Sequence, residues 1–178
     1  MGYRARWLAV KNGELASVLK TVELRQEKSM NEAVNDPGHY SVMMPGGWLV
    51  VIGDGYESMD SIRAEHARTL SAHTEAIHFY CDDTPMCASI ATYRDGKELW
   101  SLEYDGSDGI ATPTVTGTPP AMVIEIVRQC QNAQRDSGED DVDHIYEAAP
   151  KIGLELTGFR HDTTLADGEH LPILVLGK

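Results

Sequence analysis

The chain has 178 residues, 42% hydrophobic and 24% charged, enough for one domain that buries its own core without disulfides or a structural metal. Its 28 acidic residues against 15 Lys and Arg give a formal charge of -13. Such a surface repels nucleic-acid phosphates and anionic lipid, which argues against a nucleic-acid or membrane partner and favours a basic protein. The three cysteines, Cys81, Cys87 and Cys130, form no disulfide framework. The opening MGYRARWLAVK lacks the apolar run of a signal peptide, and the longest apolar runs, 48–52 and 171–176, are too short to span a bilayer. The expectation is a reduced, cytoplasmic, soluble protein.

Residues 3–10, YRARWLAV, read as a first strand, ended by Asn12-Gly13. Leu15, Val18, Leu19 and Val22 then recur with helical spacing. Residues 25–39 are polar and include Asp36-Pro37-Gly38, which predicts a loop. YSVMM and WLVVI flank Pro45-Gly46-Gly47 and predict a hairpin. Met59, Ile62, His66 and Leu70 mark one face of a second helix, with Ser58 as its N-cap. Residues 75–81 read as a strand.

The next signal is the strongest. In CASIATYRDGKELWSLEY, Asp95-Gly96 predicts a two-residue turn with positive φ at both positions. An unbroken register from that turn puts Ala91 opposite Trp100, Ser89 opposite Leu102 and Cys87 near Tyr104, with the Trp100 face toward the core and Ile90 and Leu99 on the other face. Residues 105–120 read as a connecting loop. Thr118-Pro119-Pro120 predicts a helix start with Thr118 as cap, followed by the stripe Val123, Ile126, Val127 and Cys130. After the acidic loop 137–143, Ile145, Ala149, Ile152 and Leu156 give a last helix, with a kink or restart at Pro150 and a left-handed cap at Gly158. Asp167-Gly168 turns into a terminal strand, LPILVLGK. Adjacent strands joined by tight turns predict a single α+β domain over residues 1–178, a mainly antiparallel sheet with about four helices packed on it.

Chemical motifs are sparse. GDGYES, residues 53–58, has Ser58 where a dinucleotide loop carries its third glycine, so Gly53 and Gly55 read as a turn into a helix. His66 with His73, and His78 with Cys81 and Cys87, lack metal-binding spacing. Neither SGEDDVD nor DGSDG follows the order of a calcium loop. No metal, cofactor or catalytic residue is expected. Arg160, His161 and Asp162 are adjacent and chemically suggestive, but neighbours on an extended segment point apart.

Four stretches together resemble a group of uncharacterised bacterial proteins of similar length. They are the YRARWLAVK start, the PGGW hairpin at Pro45 to Trp48, the RDG…W hairpin at Arg94 to Trp100, and LTGFRHD at Leu156 to Asp162. The group has no established activity, so the resemblance implies no catalytic role, and residues 163–178 extend beyond its pattern. The charge, the single compact domain and the lack of a catalytic motif point to a binding protein that neutralises a basic protein partner. An immunity protein against an interbacterial toxin is the specific version. Asp54, Glu57, Glu139, Asp140, Asp141 and Asp143 are the expected contacts, being acidic and loop-like. The alternative is an enzyme of unrecognised type with a site around Arg160, His161 and Asp162.

Overall fold

Residues Arg4–Lys11 form the first strand, β1, which alternates its side chains between two apolar cores. Ala5, Trp7 and Ala9 enter one core, Leu8 and Val10 the other. A strand buried on both faces needs cover on both, and the rest of the chain supplies it. The computed structural model describes residues 3–30, 38–138, 142–162 and 173–178. The other described strands are β2 (Arg25–Met30), β3 (Gly38–Met43), β4 (Trp48–Asp54), β5 (Glu75–Asp82), β6 (Cys87–Arg94), β7 (Lys97–Asp105), β8 (Thr114–Gly117) and β9 (Ile173–Gly177). The helices are α1 (Leu15–Thr21), α2 (Tyr56–Met59), α3 (Ala64–Leu70), α4 (Ala121–Ser137) and α5 (Ala148–Thr157).

The nine strands make one antiparallel sheet in the order β2-β9-β3-β4-β1-β5-β6-β7-β8, so the domain is α+β as expected. Val123 and Cys130 of α4 and Ala148, Ala149 and Ile152 of α5 cover the Trp7 face. Val18 and Leu19 of α1, Ala67 of α3 and Ile62 cover the Leu8 face.

The local turn signals are realised. Pro45 to Gly47 joins β3 to β4, with the Met44 N–H donating to the Trp48 carbonyl at 2.8 Å. Asp95 and Gly96 have φ of 52° and 69°. Gly158 closes α5 at φ 75°, and Pro150 sits in the first turn of that helix, where its missing N–H costs nothing.

Five expectations need correction. Residues 25–39 are not all loop: Arg25–Met30 is an edge strand, and β3 begins at Gly38. RQEKSM has no apolar alternation and lies at the edge of the described sheet, where a polar strand resists pairing with other chains. The second helix is two short ones, with Ser58 inside the first rather than capping it. In the β6–β7 hairpin the register shifts after Tyr93 and Glu98: Thr92 pairs with Trp100, Ile90 with Leu102 and Ala88 with Tyr104. The bulge at Leu99 moves Ile90 onto the core face with Trp100 and leaves Leu99 exposed. Within 105–120, Thr114–Gly117 is the outer strand β8, paired to β7. Finally, α4 starts after Pro120, which occupies the cap position without a side-chain hydrogen bond. The Asp167-Gly168 turn lies outside the described residues.

Candidate functional site

The antiparallel registers bring three strand-terminal aspartates to one end of the sheet. Ala5 pairs with Asp54, Arg4 with Asp82, and Cys87 with both Asp82 and Asp105. Helix α2 and the loops at that end add Glu57, Asp60, Asp83 and Asp108, all exposed. The segment before α5 belongs to the same end, because the Tyr146 hydroxyl donates to Asp83 Oδ1 and the Tyr104 hydroxyl to Asp143 Oδ2, each at 2.5 Å. At the opposite end, Lys11, Arg94 and Lys97 come close to balancing Glu14, Glu75, Asp95 and Glu98. The surplus of negative charge is therefore polarised along the strand axis.

Some of these acids are neutralised locally. Arg4 Nε lies 2.6 Å from Asp82 Oδ2, and its guanidinium stacks over the Tyr56 ring at 3.6 Å. Arg160 grips Asp162 through two hydrogen bonds, of 2.5 and 2.7 Å, and reaches Glu147 at 2.9 Å. Others stay charged toward solvent. Asp105 accepts from the Ser107 N–H at 3.0 Å and from the Cys87 thiol at 3.2 Å. Hydrogen bonds from Ser107 and Cys87 hold its carboxyl below the usual carboxylate range.

Of the expected contacts, Asp54, Glu57 and Asp143 fall at this end. Glu57 is exposed. Asp54 is half-buried beside the Tyr3 hydroxyl, and burial pushes its carboxyl up. Asp143 Oδ1 accepts the Ile145 and Tyr146 N–H groups at 3.0 Å, so it shapes the turn into α5. Glu139, Asp140 and Asp141 lie outside the described residues. Asp60, Asp83, Asp105 and Asp108 were not among the partner contacts expected from sequence. The signal was there, in strands closing on Gly-Asp, Cys-Asp and Tyr-Asp, but it needs the strand directions to become a cluster.

The GDGYES turn is structural. Gly55 has φ 83° and ψ 168°, a region open essentially to glycine alone. A Cβ on Gly53 would lie 2.6 Å from the Ser58 carbonyl oxygen, so glycine lets α2 fold down on β4. Among the described residues no group of three or more His, Cys, Asp and Glu side chains is arranged to hold a metal.

Behind the acidic end sits a buried polar cluster. Arg160, His161 and Asp162 do not form one site: Arg160 turns to Asp162 and Glu147, while His161 turns inward. Its ring stacks on Tyr3 at 5.2 Å and packs against Phe79 at 5.0 Å. His161 Nε2 lies 3.2 Å from Cys81 Sγ, and Nδ1 is shielded without a hydrogen-bond partner. Burial lowers the imidazole to about 4 and raises the Cys81 thiol to about 12. Both groups are therefore neutral, not a thiolate–imidazolium pair. With native protein at neutral pH, Cys87 is expected to react with a thiol reagent first. Cys81 and Cys130 are buried and should wait for unfolding. Labelling followed by peptide mapping checks this, and early modification of Cys81 would contradict the packing.

The same histidine sets a pH dependence. Below pH ~6.5 an unfolded chain takes a proton on each histidine, while the folded chain resists protonation at His161 until about 4. His78, also lowered to about 4 by burial and by Arg6, acts in the same direction. Stability is thus fully present above the unfolded value and is lost as pH falls from ~6.5 toward 4, by about 1–3 kcal/mol per histidine. Urea midpoints at pH 7 and pH 4.5 measure the loss, and His161→Gln should shrink it.

Comparison of the chain with family models, curated protein sequences and solved structures gives no match, so the reading of this site rests on its geometry.

Proposed function

We propose that the chain is a binding protein that uses the acidic end of its sheet to mask a basic protein partner. The observation that supports this reading is the gathering of exposed carboxylates from three separate segments, helix α2 and two loops, at Glu57, Asp83 and Asp108, beside Asp105. Desolvating so many like charges serves no packing purpose, and the acids are left outward. Facing a basic surface, they raise the encounter rate and fix the orientation. A rigid nine-stranded sheet holds them in place, so little ordering is needed on binding. An immunity protein bound to a basic interbacterial toxin domain fits this chemistry and the resemblance described above.

The test is capture from a lysate of the source organism at low salt on immobilised protein, with a parallel column carrying Glu57→Lys and Asp108→Lys. One basic protein retained in stoichiometric amount by the first column and lost from the second is the expected result. Equal retention on both columns would overturn the reading.

An enzymatic reading draws on the contact between Cys81 Sγ and His161 Nε2 at 3.2 Å. A nucleophile–base pair also needs access and an orienting partner for the base. Cys81 is fully buried and His161 Nδ1 has no partner, so the binding role is the better-supported reading.

A further inference from the structure

One groove on this acidic molecule is lined with cations. Arg6, Tyr80 and Ser89 lie in a single cross-strand row on β1, β5 and β6, with Arg6 opposite Tyr80 and Tyr80 opposite Ser89. Arg63 comes over this row from the turn before α3, and His78 closes the floor. The groove has a volume of about 370 Å³, and Glu65 is the one acid in its lining.

Its polar groups are short of partners. Arg6 Nε and His78 Nε2 are shielded from solvent without a hydrogen bond, although the His78 ring is bonded to the Ile62 carbonyl. Unpaired buried polar groups are costly, and few persist without a reason. Arg6 meets Asp60 only at 3.6 Å, and that carboxylate side chain is 75% exposed, so an incoming anion can displace it. Arg63 donates from Nε to the Asp60 carbonyl at 3.2 Å, which anchors its stem beside the groove. Two guanidinium groups on separate elements, flanked by the Ser89 hydroxyl, present donors from several directions. A planar carboxylate is satisfied by one arginine fork, whereas the tetrahedral oxygens of a phosphate use all of them.

We propose that the groove between β1, β5, β6 and the α2–α3 turn binds the phosphate group of a small molecule, held between Arg6 and Arg63. Ser89 contributes its hydroxyl to a remaining oxygen, while the Tyr80 ring walls the groove with its own hydroxyl donating to Asp82 Oδ2 at 3.4 Å, and Glu65 accepts from a hydroxyl of an attached organic group. This site adjoins the acidic end through Asp60 and requires no protein partner.

The experiment is a titration of the full-length 15N-labelled chain with inorganic phosphate, glycerol phosphate and acetate at constant ionic strength. Saturable amide shifts grouped at Arg6, Arg63, His78 and Ser89 with the phosphates, and none with acetate, are expected. Arg63 is exposed, so Arg63→Gln keeps the fold and should weaken phosphate binding about tenfold. Arg6→Gln should do the same, and where it fails to fold, Arg63→Gln decides. Tighter binding of glycerol phosphate than of inorganic phosphate assigns the site to a monoester, and the reverse order assigns it to the free ion. Equal shifts with acetate, or a Kd unchanged by Arg63→Gln, would overturn the proposal.

Discussion

Trp7→Ala is expected to cost about 3–5 kcal/mol, much of the stability of a domain this size. Trp7 is 1% exposed, stacks on Phe79 at 4.9 Å and meets the edge of Phe159 at 5.8 Å. Its ring also fills the space over Gly153 of α5, where an added Cβ would lie 2.8 Å from Trp7 Cζ2. The indole is pinned from both sides and cannot yield. Gly153→Ala should therefore destabilise by about 1–3 kcal/mol, although alanine favours the helix. In a Trp7→Phe background the atom it strikes is gone, so the same substitution should be close to neutral or stabilising. Urea denaturation of the four proteins in this cycle measures the coupling. Simple additivity would mean that α5 is not seated on Trp7 as described.

Charge reversal at the acidic end is the second large effect. On the proposed masking role, Glu57→Lys with Asp108→Lys should slow association with the captured basic protein about 10- to 100-fold at low salt. Both side chains are exposed, so the fold should be untouched. Glu14→Lys with Glu98→Lys makes the same change in total charge elsewhere on the surface, and it should slow association far less. The gap between the two variants should close as salt shortens the screening length. Stopped-flow association at several salt concentrations separates the cases. Equal slowing by both pairs would mean that total charge, not the acidic end, drives the encounter.

Much of the molecule was readable from short-range signals. Asp95-Gly96 demands positive φ wherever it occurs, Pro45-Gly46-Gly47 turns the chain, and Gly158 stops a helix. Apolar spacing marked α1, α4 and α5, and the strand-rich order pointed to an α+β domain. These features depend on residues a few positions apart. The bulge at Leu99 does not: which of Ile90 and Ala91 faces the core is decided by where the sheet packs on α4 and α5. The edge strand β2 was hidden because its polar residues carry no period, and its pairing with β9 joins distant segments of the chain.

By itself the sequence determined the fold class, the principal turns and the total charge of -13. Only the tertiary structure decided where that charge stands. Asp54, Asp82 and Asp105 are scattered in the chain, and antiparallel pairing sets them at one end of the sheet. Arg160, His161 and Asp162 are adjacent in the chain, and the fold divides them, turning His161 inward to Cys81 while Arg160 holds Asp162 and Glu147. The reason is the same in both cases: backbone hydrogen bonding fixes strand direction and register over the whole sheet, and side-chain neighbourhoods follow from it.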